Sequence, residues 1–192
     1  MGAEDAELVR RLRRREPAAF DDVYARYHPR IFRFLFRLAG GRQLAEDLFQ
    51  DTWLAAARHA GDVAEDTDLG AWLFTIARNR FRSHRRWAFL DFTQRERLAQ
   101  EPADHAPPPD RDAEARAEAA AVTEAFARLT PAHREVLLLA VVEGLTTAQV
   151  GAVLSLKPDA VRQRISRARA ELAAHLETEN AVARVLAPGA PR

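Results

Sequence analysis

The stretch LTTAQVGAVLSLKPDAVRQRISRARAELAAHL, residues 145–176, predicts two helices joined by a short turn. Thr146 followed by Gln149 has the spacing of a capping box, in which two side chains satisfy free N–H groups at a helix start. Lys157 and Pro158 begin the second helix, because proline suits the first helical turn. Basic residues on one side and apolar residues on the other are typical of a helix-turn-helix, whose second helix can lie in the major groove of DNA.

The second helix of this stretch has two sides of different chemistry. Its apolar stripe recurs at intervals of three and four residues and consists of Val161, Ile165, Ala168, Leu172 and Leu176. We expect the early outer residues to reach base edges and the flanking arginines to hold phosphates. The outer and flanking residues are Asp159, Arg162, Gln163, Arg164, Ser166, Arg167 and Arg169. A plain amphipathic helix with a basic outer face is the alternative interpretation.

The composition favours two small folded domains without catalytic activity. The chain has 192 residues, 47% of them hydrophobic, and a formal net charge of only +1, so any nucleic-acid interface must arise from how the charges are distributed. There is no cysteine, the six histidines are scattered, and no phosphate loop or nucleophile elbow occurs. We therefore expect no metal, no cofactor and no enzyme. No apolar run approaches the roughly 18 residues of a membrane span, which favours a cytoplasmic protein.

The amino-terminal third predicts three helices. A short charged one covers residues 5–15, and a longer one begins at Pro17 and ends at Gly40. The third, residues 44–58, has Leu44, Leu48 and Ala55 on one side and Glu46, Asp47, Gln50 and Trp53 on the other. Two interpretations of the second side stay open: a partner-binding face, or a solvated salt-bridge face with Trp53 turned into the core.

An acidic, glycine-bounded loop at residues 60–70 precedes a helix predicted over residues 71–87. Its inward side consists of Trp72, Leu73, Ile76 and Ala77. Its outward side carries Arg78, Arg82, Arg85 and Arg86, edged by Thr75 and Asn79 on one flank and by Phe74 and Phe81 on the other. Arginines interleaved with aromatic rings suit a nucleic acid whose phosphates pair with guanidinium groups and whose unstacked bases lie on the rings. A solvated basic face is the alternative.

Periodicity then fades, and three consecutive prolines at 107–109 indicate a linker. The linker is either a simple tether or an acidic segment that occupies a channel built for nucleic acid. Beyond it, Thr130 and Pro131 predict a helix start and Gly144 its end. The predicted fold is all-α: a helical domain at 5–88, a flexible proline-rich linker at 89–116, a helix-turn-helix domain at 117–177 and a frayed tail at 178–192.

Four motifs in this order resemble a known family. They are AEDLFQ (45–50), WLFTIARN (72–79), LTPAHREVLLL (129–139) and EGLTTAQV (143–150), split by the proline-rich linker. Together they resemble bacterial RNA polymerase sigma factors of the extracytoplasmic-function group, over residues 5–176. The resemblance implies a protein that recruits core polymerase to promoters. The partners it implies are core RNA polymerase, through its clamp coiled coil and flap, promoter DNA, and an anti-sigma factor.

The resemblance also implies three binding surfaces. The helix matching residues 45–54 would bind the clamp coiled coil through Asp47 and Gln50, supported by Phe49 and Asp51. The helix matching 72–86 would hold the opened minus-ten element, with Asn79 in the base pocket and the loop capturing a flipped base. The last helix would read the minus-thirty-five element as duplex DNA. The minus-ten set is Asp62, Val63, Arg78, Asn79, Arg82, Arg85 and Arg86, and the minus-thirty-five set is Lys157, Asp159, Ala160, Arg162, Gln163, Arg164, Ser166 and Arg167.

The chain departs from the family pattern at three places. The loop has no aromatic residue, Ser83 and Arg85 stand where an acid and a leucine are common, and Ser155 replaces the usual turn glycine. Two rival functions stay open: a helix-turn-helix regulator that acts without polymerase, and a sigma mimic that only binds an anti-sigma factor. The first leaves Asp47 and Gln50 without a role, and the arginines on both DNA-facing helices argue against the second.

Overall fold

The computed structural model describes residues 3–92 and 113–186, and within these ranges it contains eight α-helices and no strand. The helices are α1 (Ala3–Arg13), α2 (Pro17–Ala39), α3 (Arg42–His59), α4 (Leu69–Phe92), α5 (Ala113–Arg128), α6 (Pro131–Leu137), α7 (Thr147–Leu154) and α8 (Pro158–Leu186). Helices α1 to α4 form an amino-terminal half, and α5 to α8 form a carboxy-terminal half. The predicted all-α fold, two helical domains with a helix-turn-helix in the second, is confirmed.

Helix α2 is the central helix of the amino-terminal half, and α1, α3 and α4 all pack against it. Its residues Ile31, Phe34 and Leu35 are almost completely buried. The helix continues through Pro29 and ends at Gly40, whose φ of 77° is left-handed. Glycine adopts this conformation without the steric penalty that a Cβ atom brings, which explains why the helix ends there.

The helix-turn-helix consists of α7 and α8, and its capping box is confirmed. The Gln149 backbone N–H donates to Thr146 Oγ1 at 3.3 Å, and the Thr146 N–H donates to Gln149 Oε1 at 2.8 Å. Gly151 lies where the two helices approach, because an added Cβ would stand only 2.8 Å from the carbonyl oxygen of Leu156. The turn residue Ser155 has φ 57° and ψ 48°, a left-handed conformation.

The helix predicted from Pro131 to Gly144 is not a single α-helix. Helix α6 ends at Leu137, and a π-helical segment, Leu138–Val142, follows it. In this segment the N–H of Glu143 donates to the carbonyl of Leu138, five residues earlier, at 2.9 Å. A hydrophobic pattern with a period of 3.6 residues does not predict this wider, π-helical turn.

The cap at the start of α6 differs from the threonine cap that the sequence predicts. Thr130 is the N-cap residue, but its side chain makes no capping hydrogen bond. Instead its backbone N–H donates to Glu171 Oε1 on α8 at 3.0 Å. The start of α6 is therefore tied to α8.

Helices extend further than the predicted segment boundaries. Helix α4 continues to Phe92 and α5 begins at Ala113, so both ends of the predicted linker at 89–116 are helical. Helix α8 continues to Leu186, into the segment predicted to be frayed from residue 178. The rest of the linker and tail predictions, residues 93–112 and 187–192, lies outside the described residues. The domain boundaries remain predictions.

Across residues 3–92 and 113–186, no helix is both long enough and apolar enough to cross a membrane. Over the same ranges, no three histidine, cysteine or acidic side chains converge in a way that would hold a metal ion.

Replacing Ser155 with glycine should stabilise the protein, because glycine does not pay the cost of about 1–2 kcal/mol that a side chain pays in the left-handed region. Part of the gain is offset by the greater freedom of glycine in the unfolded chain. We expect Ser155→Gly to raise the free energy of unfolding by about 0.5–1 kcal/mol, measured by urea denaturation. Ser155→Ala keeps a Cβ atom and should bring no such gain; an equal gain from alanine would contradict the conformational explanation.

Candidate nucleic-acid interface

Helix α3 presents a ridge of exposed residues. Asp47, Gln50, Asp51 and Leu54 are all exposed and stand at i, i+3, i+4 and i+7, so they follow one another along a single face. We call these four residues the α3 ridge. Leu54 is 56% exposed, and sequence reasoning did not single it out although its spacing from Asp47 and Gln50 places it in line with them. Two acids, an amide and an exposed leucine make a surface suited to a protein partner rather than to DNA phosphates.

The two aromatic residues of α3 stand behind this ridge. Trp53 is buried, in edge-to-face contact with Tyr24 at 4.7 Å and with Phe20 at 5.9 Å between ring centroids. Its placement beside the acids was therefore wrong, and the interpretation that turns it into the core is correct. Phe49 is half-buried against Phe32, 5.5 Å away, so it supports α3 from behind.

Helix α4 has an exposed basic face formed by Asn79, Arg82, Arg85 and Arg86. We call these residues the α4 basic face. The Arg85 guanidinium lies 5.9 Å from the ring centroid of Phe81. Three of the four residues are arginines and none is an acid. The face is therefore positively charged and rich in guanidinium donors, as phosphate binding requires.

The aromatic edge predicted beside these arginines is wrong. Phe74 and Phe81 are buried, at 0% and 6% exposure. Phe74 packs edge-to-face on Phe34 at 5.2 Å, and the guanidinium of Arg30 lies 5.5 Å from its ring centroid. The α4 basic face is therefore flanked by core aromatics, and neither ring offers a surface on which a base could stack.

Arg78, predicted on the outward side of the same helix, is buried in this structure. Its Nε donates to Glu135 Oε2 on α6 at 3.0 Å, and its Nη1 donates to the carbonyl of Val153 on α7 at 3.3 Å. The carboxy-terminal half covers this position of α4. A helical wheel drawn for α4 alone cannot show that residues of the other half bury this position.

The loop between α3 and α4 begins with a 3-10 turn, Ala60–Asp62. Asp62 is exposed, but the side chain of Val63 is buried, so Val63 can offer a ligand only its backbone. That carbonyl already accepts a hydrogen bond from Arg13 Nη1 at 3.2 Å. Arg13 lies fifty residues earlier and was missed by sequence reasoning, because nothing in its spacing links it to the loop. Helix α1 thus braces the loop.

The first turns of α8 form one continuous exposed surface. Lys157, Asp159, Arg162, Gln163, Ser166 and Arg167 are exposed, whereas Ala160 and Arg164 are half-buried. Arg162 donates to Asp159 one turn earlier. We call the eight residues the α8 face. It combines amide and hydroxyl groups, which can read base edges, with arginines that can hold phosphates.

Glu171 fixes α8 against α6. Its Oε1 accepts the N–H of Thr130, and its Oε2 accepts a hydrogen bond from Nδ1 of His133. Nε2 of His175 lies 3.8 Å from Oε1. The hydrogen bond from His133 is the main reason why the pKa of Glu171 is lowered from its usual value of 4.5. The carboxylate form is therefore favoured in the folded protein.

A depressed carboxyl pKa adds stability that is present above the unfolded-state pKa and is lost as the pH falls through the folded-state pKa. Replacing Glu171 with glutamine should therefore lower the midpoint of thermal unfolding by about 1–3 °C at pH 7. The difference between wild type and variant should shrink below pH 4. Glu177→Gln, an exposed acid on the same helix, is the matched control. A difference between wild type and Glu171→Gln that stayed constant from pH 7 to pH 3 would contradict this role.

Comparisons with known proteins identify the family of this chain. The Sigma-70 region 2 family matches residues 23–88, and Sigma-70, region 4 matches residues 119–172. The chain is 38% identical over 152 residues to RNA polymerase sigma factor CarQ of Myxococcus xanthus, across 78% of this chain and 84% of that protein. It is 35% identical over 142 residues to RNA polymerase sigma factor CnrH of Cupriavidus metallidurans, across 70% and 74%.

Two solved structures share the fold. CnrH in complex with the cytosolic domain of CnrY matches with a TM-score of 0.68 and 27% identity, covering 91% of this chain and 97% of that one. The sigma factor RpoE of Bartonella quintana, in complex with the anti-sigma factor NepR, matches with a TM-score of 0.66 and 26% identity, covering 82% and 96%.

The helix-turn-helix and the two family matches define a helical DNA-binding protein. The chain belongs to the sigma-70 family of RNA polymerase sigma factors, in its extracytoplasmic-function group. It directs promoter recognition by RNA polymerase and is not an enzyme. Both halves match the family, which sets aside the rival that explained only the helix-turn-helix.

Proposed function

We propose that the three surfaces divide the work of promoter recognition. The α3 ridge binds core polymerase, the α4 basic face and the loop at 60–68 hold the opened minus-ten element, and the α8 face reads the minus-thirty-five element as duplex. The observation that carries this division is the chemistry of the ridge. Asp47 and Asp51 would repel phosphates, whereas the α4 basic face and the α8 face are rich in arginine. Since polymerase and DNA are the partners, the protein works in the cytoplasm.

The α4 basic face suits opened DNA for a second reason. Asn79, Arg82 and Arg86 stand at i, i+3 and i+7, so an amide and two guanidinium groups follow one side of the helix. The amide can bond a base edge that unpairing has exposed, and the guanidinium groups can hold phosphates on either side. Phe74 and Phe81 are buried, so hydrogen bonds from Asn79, rather than stacking on these two rings, would carry recognition of the flipped base.

We also propose that an anti-sigma factor regulates this chain. The support comes from the solved relatives: RpoE of Bartonella quintana is bound to the anti-sigma factor NepR, and CnrH is bound to the cytosolic domain of CnrY. An anti-sigma factor that competes with polymerase would cover the α3 ridge. Leu54, exposed and apolar, would be a central contact for either partner.

The polymerase-binding assignment predicts the effect of a double substitution. Asp47→Ala with Gln50→Ala removes two exposed polar groups from the α3 ridge, so affinity for core polymerase should fall roughly ten- to a hundredfold. The helical content should not change, because Asp47 bonds only the exposed Gln43 side chain. Surface plasmon resonance with immobilised core enzyme measures the affinity. Glu177→Ala, an exposed acid in the other half, should bind like wild type.

Promoter-dependent run-off transcription with purified core enzyme tests the function as a whole. Wild type should yield a promoter-specific transcript, and the double variant should yield one only at higher protein concentration. Unchanged polymerase affinity in the double variant would overturn the assignment of the α3 ridge while leaving the family intact.

The α8 face predicts a change in salt dependence. If Arg164 holds a phosphate, Arg164→Ala should weaken binding of minus-thirty-five duplexes by a similar factor for every sequence. The slope of log affinity against log salt should flatten by about one unit. Fluorescence anisotropy over a salt series measures both effects, and Arg42→Ala on α3 is the charge-matched control. A loss confined to one base position would assign Arg164 to base reading instead.

A further inference from the structure

The turn between α1 and α2 departs from the sequence that its geometry favours. The N–H of Glu16 donates to the carbonyl of Arg11 at 3.2 Å, and the N–H of Arg15 donates to that of Leu12 at 2.8 Å. These two hydrogen bonds form a Schellman motif, in which Arg15 takes the left-handed position with φ 57°. Glycine is the usual residue there, because a Cβ atom is strained in the left-handed region. Arg15 therefore stands where the backbone favours a residue without a side chain.

The side chain of Arg15 lies against Gly61, at the start of the loop at 60–68. A Cβ atom added at Gly61 would stand 3.0 Å from Arg15 Nε and 3.4 Å from Arg15 Cγ, so the glycine leaves the room that the arginine occupies. The φ of Gly61 lies outside the left-handed region, so its backbone does not itself require glycine. The two residues are complementary in shape, and this contact gives a reason for the strained backbone of Arg15.

Arg13 contacts the same loop two and four residues further along. Its Nη1 donates to the Val63 carbonyl at 3.2 Å, and its Nη2 lies 3.8 Å from Glu65 Oε1. The side chain of Val63 is buried, so the core holds this residue by its side chain while α1 holds it by its carbonyl. Arg13 and Arg15 together contact residues 61, 63 and 65. We call the two arginines the loop brace.

Packing alone does not hold the first turn of the loop. A cleft of about 280 Å³ lies between the ends of α1 and α3, and Gly61 lines it. The side chain of Arg15 lines the same cleft, together with Phe20 and Arg58. Because open volume rather than core lies beside Gly61, the side chain of Arg15 limits how far this turn can move toward α1. Removing that side chain would enlarge the cleft and loosen the loop.

The composition of the loop makes its shape important for selecting a base. Residues 60–70 are AGDVAEDTDLG, so the loop has no aromatic ring on which a base could stack. Backbone groups and polar side chains must then carry the choice through hydrogen bonds, which weaken steeply when their distance or angle changes. A loop that is already ordered also avoids the entropic cost of ordering when it binds. The loop brace meets both requirements.

We propose that Arg13 and Arg15 are positioning residues of the loop at 60–68, and that they set base selectivity in the opened minus-ten strand without touching the DNA. The inference rests on the proposed function, which assigns this loop to that strand. Arg13 fixes the carbonyl of Val63, and Arg15 fixes the turn at Gly61. The end of α1, to which the proposed division of work gives no part, thus determines how selectively one base is held.

Arg15→Gly separates positioning from a purely structural role. Glycine relieves the strained backbone, so the midpoint of thermal unfolding should rise by about 1–3 °C. Base selectivity should nevertheless fall, because the side chain against Gly61 is lost. A residue that served only stability would move both quantities in the same direction. Ser155→Gly is the matched control, since it relieves the same left-handed strain in the other half and should leave minus-ten selectivity unchanged.

Transcription from a promoter pool measures base selectivity. Barcoded linear templates, randomised over both promoter elements, are transcribed by core polymerase carrying each variant, and sequencing of the transcripts gives the base preference at every position. Arg15→Gly and Arg13→Ala should each lower the preference at one minus-ten position, the same in both, by about three- to tenfold. Gly61→Ala should lower it there too, because its Cβ atom displaces the Arg15 side chain. Preferences across the minus-thirty-five element should match those of wild type.

Nuclear magnetic resonance of the free chain tests the loop brace without any DNA. Backbone order parameters at residues 61–65 should be about 0.85 in wild type and should fall below about 0.6 in Arg13→Ala and in Arg15→Gly. Arg14→Ala is the control at the same turn, because Arg14 pairs with Glu16 and Glu7. Unchanged order parameters in both brace variants would overturn the inference.

The salt dependence of promoter binding distinguishes positioning from a direct contact with DNA. If either arginine held a phosphate, its removal would weaken binding of the polymerase complex to every template. It would also flatten the slope of log affinity against log salt by about one unit. Positioning predicts an unchanged slope. A flattened slope with wild-type base preferences would overturn the inference in favour of a phosphate contact.

A variant of the loop itself separates failure of the inference from failure of the proposed function. Asp62→Gly, Ala64→Gly and Asp66→Gly together disrupt the loop and leave both arginines of the brace in place. If this triple variant loses minus-ten selectivity while Arg13→Ala and Arg15→Gly keep it, the inference falls and the proposed function stands. If the triple variant also keeps wild-type selectivity, the loop does not read the minus-ten strand, and its part of the proposed function falls with the inference.

Discussion

The buried ion pair between Arg78 and Glu135 is the constraint on which the arrangement of this molecule depends. A charge taken out of water needs a partner, and removing one member of such a pair costs about 3–5 kcal/mol. The pair therefore favours the arrangement in which Glu135 of α6 faces Arg78 and helix α7 packs on α4. That arrangement in turn brings Glu143 to Arg30 and Gln149 to Asp68. It also leaves Asn79, Arg82 and Arg86 outside and Arg78 inside, although all four belong to one helix.

Local features of the fold could be predicted from the sequence because they depend on neighbours in the chain. The capping box of Thr146 and Gln149 and the left-handed end of α2 at Gly40 both involve residues within a few positions of one another. The α8 face could also be predicted, since its apolar stripe repeats with the helical period. The same holds for the α3 ridge, apart from Leu54.

What could not be predicted depends on contacts between distant residues. The outward placement of Phe74, Phe81 and Arg78 followed from a wheel of α4 alone, and packing of α2 and of the second half on that helix reversed it. The sequence placed Trp53 wrongly for a similar reason. Its ring packs against Phe20 and Tyr24 of α2, and a wheel of α3 alone does not show those residues. The contact of Arg13 with the Val63 carbonyl joins residues fifty positions apart. The π-helical segment before Glu143 has no periodic signal at all.

The three surfaces explain how one small helical chain can serve both a protein and a nucleic-acid partner. The acidic α3 ridge and the two arginine-rich faces differ in charge, so in the proposed division of work polymerase and DNA would not compete for the same groups. The α4 basic face and the α8 face lie on different halves of the chain, so the proposed contacts with the two promoter elements come from different halves.

Small-angle X-ray scattering of the wild-type, polymerase-free chain is the measurement that tests the packed arrangement most directly. Docked halves predict a radius of gyration close to the roughly 16 Å of a compact chain of this length. They also predict little change as salt rises, because the central ion pair is buried and weakly screened. A radius of about 25 Å or more, typical of two domains that move independently on a tether, would contradict the account.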